Sequence, residues 1–177
     1  RQVAFGRRDA RTAGYDAATA AAERRGYPAV ERDVGGRAVA FTGSTLSFVH
    51  AVPDADRTAI ESRYADATDR LRSALTSVGV DAHEGEPPDS FCPGTHSLQA
   101  DGKIAGLAQR VRRNVAVTAG VVVVEDHAPI ADVLDPVYDA LGVPFDLDTV
   151  GSVARTGGPA DADRVGDAIV AAFIDES

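Results

Sequence analysis

A cysteine and a lysine eleven residues apart, Cys92 and Lys103, are the side chains of this sequence best suited to covalent chemistry. A thiolate is a nucleophile, and a nearby ammonium both favours the thiolate and can stabilise an acyl oxygen during transfer. Lys103 stands out because the other seventeen of the 18 basic residues are Arg. The alternative interpretations are a small, buried, hydrophobic Cys92 and a solvated turn residue at Lys103.

A glycine pair, Gly35 and Gly36, lies within the segment 32–39 between two β-prone runs. Glycines let backbone N–H groups approach a ligand closely, so the pair could line a narrow tunnel. A hairpin turn between two paired strands is the other interpretation of the same pattern. The residues alone leave both interpretations open.

Four histidines are spread along the chain without the short spacings of metal ligands, and Cys92 is the single cysteine. The sequence therefore predicts no metal site. His96, four residues after Cys92, is a candidate general base, with a turn or surface histidine as the alternative. The sequence contains neither a phosphate-binding glycine loop nor a dinucleotide fingerprint.

The charge balance argues against nucleic acid as a partner, because the formal net charge is −9 and no basic stripe is present. Most acidic residues are Asp and lysine is nearly absent, a halophilic composition typical of a salt-rich cytoplasm. A single cysteine and the lack of an apolar run of roughly 20 residues predict a cytoplasmic protein with no intrachain disulfide and no membrane span. The length predicts one domain, residues 1–177, and a start at Arg1 without any Met predicts that N-terminal residues are missing.

Short β-prone runs and a polar turn predict the sheet that positions these side chains. The β-prone runs are 3–5, 29–34, 37–42, 46–52 and 114–124. The turn at Asp101 and Gly102 predicts a hairpin of strands 97–100 and 103–108, with Cys92 and Lys103 on its opposite arms. Since paired strands lie about 5 Å apart, the Lys103 side chain would reach across to the other arm.

Helical patterns complete the predicted fold. The segments 15–25, closed by Gly26, 60–78 and 165–173 have the composition or the apolar spacing of helices. Residues 130–141 have that spacing too, but Pro136 interrupts it, which predicts two short helices with Asp135 as the N-cap of the second. The order of the elements predicts an α+β fold.

Two linked segments resemble the core motif of the lipoyl/octanoyl amidotransferases, which share a superfamily with lipoate-protein ligases, octanoyltransferases and biotin-protein ligases. They are Phe-Cys-Pro-Gly at 91–94 and Asp-Gly-Lys-Ile-Ala-Gly-Leu-Ala-Gln-Arg at 101–110. The segments 32–39 and 147–153 are similar to two further motifs of that superfamily. The resemblance implies a class II biotin/lipoate ligase-like catalytic domain, with a mixed or antiparallel sheet flanked by helices.

The resemblance also implies roles for individual residues. Cys92 would carry an octanoyl or lipoyl group as a thioester, and Lys103 would hold the acyl carbonyl. The group would pass to a lysine of a lipoyl-carrier protein, such as the glycine-cleavage H protein or an E2 subunit of a 2-oxoacid dehydrogenase, with no cofactor required. The residues implied to line the acyl pocket are Arg32, Gly35, Gly36, Gly106 and Ala108.

Two other functions stay open at this point. The first is an ATP-dependent lipoate-protein ligase, which uses ATP and Mg, binds a lipoyl-adenylate through Lys103 and leaves Cys92 incidental. Ligases of the superfamily typically carry three consecutive glycines, so Arg37 at the third position favours the transferase. The second is a non-catalytic module that binds an acyl chain or a carrier domain.

Overall fold

The computed structural model describes residues 1–53, 59–112 and 114–174 of the chain. Its helices are α1 (Tyr15–Arg24), α2 (Ile60–Ser77), α3 (His127–Leu141) and α4 (Ala162–Ile174). Its strands are β1 (Gln2–Phe5), β2 (Ala29–Glu31), β3 (Val39–Phe41), β4 (Thr45–Pro53), β5 (His83–Glu84), β6 (Ser97–Gln99), β7 (Lys103–Arg112) and β8 (Val115–Val123). Short 3-10 helices cover Asp9–Arg11, Leu147–Thr149 and Ala154–Thr156. Two sheets flanked by helices confirm the α+β prediction.

The smaller sheet has the strand order β2-β1-β3. Because β1 pairs with β2 in parallel and with β3 antiparallel, β2 and β3 lie on opposite sides of β1. A hairpin turn at Gly35 and Gly36 is therefore wrong: the segment crosses the end of β1 instead of joining paired strands. The crossing is close, since a Cβ atom added at Gly6 would lie 2.2 Å from the Gly36 oxygen. Because residues 32–38 form this crossing, the strands are shorter than the predicted runs 29–34 and 37–42, of which only β2 and β3 are strands.

The larger sheet is antiparallel, with the order β4-β8-β7-β6-β5. The predicted hairpin is confirmed as β6 and β7, with a register shift between Leu98 and Gln99. The runs 46–52 and 114–124 are confirmed as β4 and β8. Alternate residues of β8, from Ala116 to Val122, are buried, which is typical of a sheet with one covered face.

Two hydrophobic clusters join the helices to the sheets. The first unites α1 and α3 with the smaller sheet, and its largest fully buried side chain is Tyr138. The second unites α2 and α4 with the larger sheet around Leu71 and Ile104. Phe91 and Val123 of β8 belong to the first cluster, so the segment that leads to Cys92 lies where that cluster meets the larger sheet.

Helix α3 continues through Pro136, so two short helices with Asp135 as an N-cap are a wrong prediction. Pro136 removes one backbone N–H donor from the helix. Leu134 and Val137, on either side of it, are buried in the same cluster, and their packing stabilises the helix despite the lost bond. The other predicted helices are confirmed as α1, α2 and α4. No helix within the described residues is long and apolar enough to cross a membrane.

Candidate active site

Cys92 lies in a bend that precedes β6, so its predicted place on an arm of the hairpin is wrong. Its backbone is in the left-handed region, with φ of 42°, a conformation that its surroundings must hold. The Cys92 N–H donates to Tyr138 Oη over 2.6 Å, and that hydroxyl donates to the Ala38 carbonyl over 3.0 Å. Burial raises the pKa of Tyr138, which keeps the proton that the hydroxyl donates. One tyrosine thus anchors the cysteine turn to the smaller sheet.

Two N–H donors face the sulfur of Cys92. The backbone N–H of Arg37 lies 3.4 Å from Sγ, and Nη2 of Arg32 lies 3.5 Å from it. Nη2 of Arg32 also donates to the Arg37 carbonyl over 2.6 Å, which fixes the guanidinium in place. The cation at the sulfur is therefore Arg32, and this arrangement can stabilise negative charge on the sulfur.

Gly36 lets the sulfur come this close to the backbone. Its φ is +87°, and a Cβ atom there would lie 2.9 Å from Cys92 Sγ and 3.0 Å from Arg32 Nη2. Gly35 differs, because a Cβ atom added to it would meet no described atom within 4 Å. Only Gly36 of the predicted pair is required by the packing at the thiol.

Lys103 reaches the cysteine turn, but its ammonium contacts carbonyl oxygens rather than the sulfur. The side chain is 3% exposed, so each of its hydrogen bonds is shielded from water. Nζ donates to the carbonyl of Phe91 over 3.0 Å and to that of Cys92 over 2.8 Å. The Glu86 carboxylate lies 2.9 and 3.1 Å from Nζ and supplies the counter-charge. Lys103 therefore ties the start of β7 to the cysteine turn.

The remaining predicted pocket residues lie further along β7. A Cβ atom added at Gly106 would lie 3.7 Å from Cε of Lys103, so Gly106 is beside the lysine. Ala108 follows on the same face of the strand and is exposed. Ala105, on the opposite face, packs into the second cluster. Of these two residues, Gly106 lies beside the lysine, and Ala108 lies further along the strand at an exposed position.

The structure does not bring His96 to the thiol. Its ring stacks on Tyr64 of α2, with ring centroids 3.5 Å apart and planes at 7°. Within the described part of the chain, no hydrogen bond joins His96 to Cys92. Among residues 1–53, 59–112 and 114–174, no group of three or more His, Cys, Asp or Glu side chains is placed to hold a metal ion.

Comparison with known families covers nearly the whole chain. The sequence model of the family described as "Lipoyl protein ligase A/B catalytic domain" matches residues 1–174. The chain belongs to this family. Membership confirms the resemblance on which the sequence assignment was based.

Curated relatives of this lipoyl protein ligase A/B domain include acyltransferases. An octanoyl-[GcvH]:protein N-octanoyltransferase of Exiguobacterium sp. (strain ATCC BAA-1283 / AT1b) is 31% identical over 139 residues, which are 77% of this chain and 50% of the relative. A lipoyl-[GcvH]:protein N-lipoyltransferase of Listeria monocytogenes is 29% identical over 143 residues, 79% of this chain and 51% of the relative. The chain spans about half the length of the curated relatives that it matches.

Solved structures confirm the ligase-like fold of the domain. A lipoate protein ligase of Thermoplasma acidophilum with bound lipoic acid has a TM-score of 0.71 at 22% identity, over 98% of this chain and 67% of that chain. Lipoate-protein ligase A bound with ATP has a TM-score of 0.70 at 23% identity, with the same coverage. At 22% and 23% sequence identity, the similarity to these two structures shows a shared fold.

Two acidic residues of the lipoyl protein ligase A/B site were not predicted from the sequence. Asp9 is 0% exposed, and its carboxylate lies 2.9 Å from Nη1 of Arg37. This ion pair holds the segment whose N–H faces the thiol. Glu86 holds Lys103 in the same way. The sequence signal for Asp9 was weak, because it precedes Arg37 by 28 residues and sits in a chain full of solvated Asp.

Proposed function

We propose that this chain transfers an octanoyl or lipoyl group to a lysine of a lipoyl-carrier protein through a thioester on Cys92. The proposal rests on one observation above the others: Arg32 and the Arg37 N–H both donate to the sulfur of Cys92, at 3.5 and 3.4 Å. These donors stabilise the thiolate that must attack. The names of the octanoyl- and lipoyltransferase relatives support the same reaction class.

The transfer proceeds in two balanced steps. The Cys92 thiolate attacks the acyl carbonyl of the donor, and the amide bond to the donor lysine breaks as that amine takes up a proton. The neutral ε-amine of the acceptor lysine then attacks the thioester and loses one proton, which balances the proton taken up in the first step, so that a new amide forms and the thiolate returns. Because one amide is consumed and one is formed, the reaction needs no ATP to drive it.

The other site residues have defined parts in this proposal. Lys103 donates an N–H to the acyl carbonyl and stabilises the negative charge that builds up on its oxygen. Gly36 allows the sulfur and Arg32 to approach the backbone. Gly35, Gly106 and Ala108 line the path of the acyl chain. The donor is the glycine-cleavage H protein, and the acceptors include E2 subunits of 2-oxoacid dehydrogenases.

Intact-mass spectrometry of the protein after incubation with an octanoylated H protein tests the reaction. We expect one octanoyl adduct on the wild-type chain and none on Cys92→Ala, whose rate of transfer falls by a factor on the order of 10³ or more. A parallel reaction with lipoate, ATP and Mg distinguishes the ligase reaction. Normal turnover of Cys92→Ala in either reaction would show that the thioester is not used.

We further propose that the protein works in a reducing, salt-rich cytoplasm. Cys92 is a free cysteine, and a thiol that must stay reduced to react suits that compartment. The net charge of −9 and the near absence of lysine fit solvation at high salt.

A further inference from the structure

The carboxylate of Glu86 accepts hydrogen bonds from several residues of the loop that carries Cys92. Glu86 lies between β5 and β6, where it accepts hydrogen bonds from the hydroxyls of Ser90 and Ser97. It also accepts the backbone N–H of Gly94 over 3.3 Å. Ser90 precedes Cys92 by two residues, and Gly94 follows it by two. Glu86 therefore braces the cysteine turn from both sides.

Lys103 has no N–H left for a substrate in this arrangement. An ammonium carries three protons, and the acceptors around Nζ are the Glu86 carboxylate and the carbonyls of Phe91 and Cys92. An acyl carbonyl that binds Lys103 must therefore replace one of these three acceptors.

Glu86 is the acceptor that can release one N–H while its charge stays beside the ammonium, because both of its carboxylate oxygens lie near Nζ, at 2.9 and 3.1 Å. Its side chain is 23% exposed, and the donors from Ser90, Ser97 and Gly94 still satisfy its oxygens after one N–H of Lys103 turns to the substrate. The carbonyls of Phe91 and Cys92 belong to the turn itself, and their bonds to Lys103 hold its shape. The exchange therefore leaves the turn intact and moves one N–H to the substrate.

We propose that Glu86 is a positioning residue for acyl transfer, which holds the Lys103 ammonium over the cysteine turn and gives up one N–H to the acyl carbonyl. This inference rests on the proposed thioester reaction. The negative charge is essential because it is the counter-charge of an ammonium that is 3% exposed. A neutral side chain of the same shape cannot replace it.

The test compares Glu86→Gln, Glu86→Asp and the control Glu84→Gln, which removes the same charge from an exposed position two residues away. Thioester formation with octanoylated H protein gives kcat and KM. We expect Glu86→Gln to lower kcat by about tenfold or more with KM within about twofold, because Lys103 is misplaced after the substrate has bound. Glu86→Asp recovers part of kcat, and Glu84→Gln matches the wild type. Equal kcat in Glu86→Gln and Glu84→Gln would overturn the proposal.

A double-mutant cycle with Lys103→Met separates positioning from general stability. If Glu86 acts through Lys103, Glu86→Gln causes no further loss of kcat in the Lys103→Met background. An undiminished loss in that background would contradict the assignment. Urea unfolding of each variant shows that the proteins compared are folded.

The rate at which iodoacetamide alkylates Cys92 tests the role of Glu86 separately from the proposed function, because alkylation needs no acyl donor. Removing the Glu86 charge leaves the ammonium of Lys103 uncompensated in the turn that carries Cys92, where it contacts the Cys92 carbonyl, so we expect alkylation at neutral pH to become about threefold faster than in Glu84→Gln. If the wild type forms no thioester, the proposed function fails, while faster alkylation still supports the link from Glu86 to the thiol. Unchanged alkylation would count against Glu86 itself.

Discussion

Replacing Tyr138 by Phe removes a single hydroxyl from the most buried part of the site. That hydroxyl accepts the Cys92 N–H at 2.6 Å and donates to the Ala38 carbonyl at 3.0 Å. Tyr138 and Ala38 are both 0% exposed, so water cannot easily replace the lost partner of the carbonyl. Because Phe has nearly the same shape as Tyr, the change removes two hydrogen bonds without opening a large cavity.

The expected cost follows from the two partners left behind. A buried group without its partner costs about 1–3 kcal/mol. The N–H of half-buried Cys92 lies near the lower end of that range and the Ala38 carbonyl near the middle, which gives about 3 kcal/mol in total. In a chain of this size, 1 kcal/mol lowers Tm by about 2–4 °C, so Tyr138→Phe should melt about 6–12 °C below the wild type.

Urea unfolding followed by circular dichroism measures this free energy. Tyr15→Phe is the matched control, because Tyr15 packs at the edge of the same cluster and its hydroxyl makes no hydrogen bond among the described residues. We expect the control to change the free energy of unfolding by less than about 0.5 kcal/mol. If both variants lose the same small amount, the reasoning that the Tyr138 hydroxyl anchors the cysteine turn is refuted.

Two further predictions concern the backbone at the thiol and the charge of the surface. Gly36→Ala should lose about 1–3 kcal/mol of stability and most acyl transfer, because its Cβ atom would lie 2.9 Å from Cys92 Sγ at a φ of +87°. Gly43→Ala, where the space is open among the described atoms, is the control in the same unfolding and transfer assays. The free energy of unfolding should rise from dilute buffer to molar KCl, since salt screens the repulsion of a chain with net charge −9. Equal stability in both solutions would contradict the proposed salt-rich cytoplasm.

Local patterns were sufficient for most elements of the fold. The polar turn at Asp101 and Gly102 predicted the β6-β7 hairpin, which brings Lys103 toward the cysteine turn. The apolar period predicted α2 and α4 because each covers one face of a sheet. The prediction for α3 was wrong because it relied on Pro136, which removes a backbone hydrogen bond from the helix. The burial of side chains on both sides of the proline outweighs that local cost.

The polar contacts of the site join residues that are far apart in the sequence, so short sequence patterns could not predict them. Cys92 and Lys103 were predicted from their types and from family motifs, with Lys103 as the cation that favours the thiolate. The cation at the sulfur is Arg32 instead. Arg32 takes that place because β2 and β3 flank β1 and bring its segment over the cysteine turn. Asp9 and Glu86 look like the many solvated acids of this chain, and only the fold distinguishes them.

The hydrogen bonds around Cys92 join distant parts of the chain. Its partners Tyr138, Arg37 and Arg32 are 46, 55 and 60 residues away, and the bond from Tyr138 to Ala38 spans 100 residues. Contacts of such long range form only when the fold has brought these segments together, since closing large loops costs entropy. In a partly folded chain, the sulfur of Cys92 lacks the two donors that face it in the folded protein. The polar surroundings of this thiol are therefore a property of the whole fold and not of the loop that carries it.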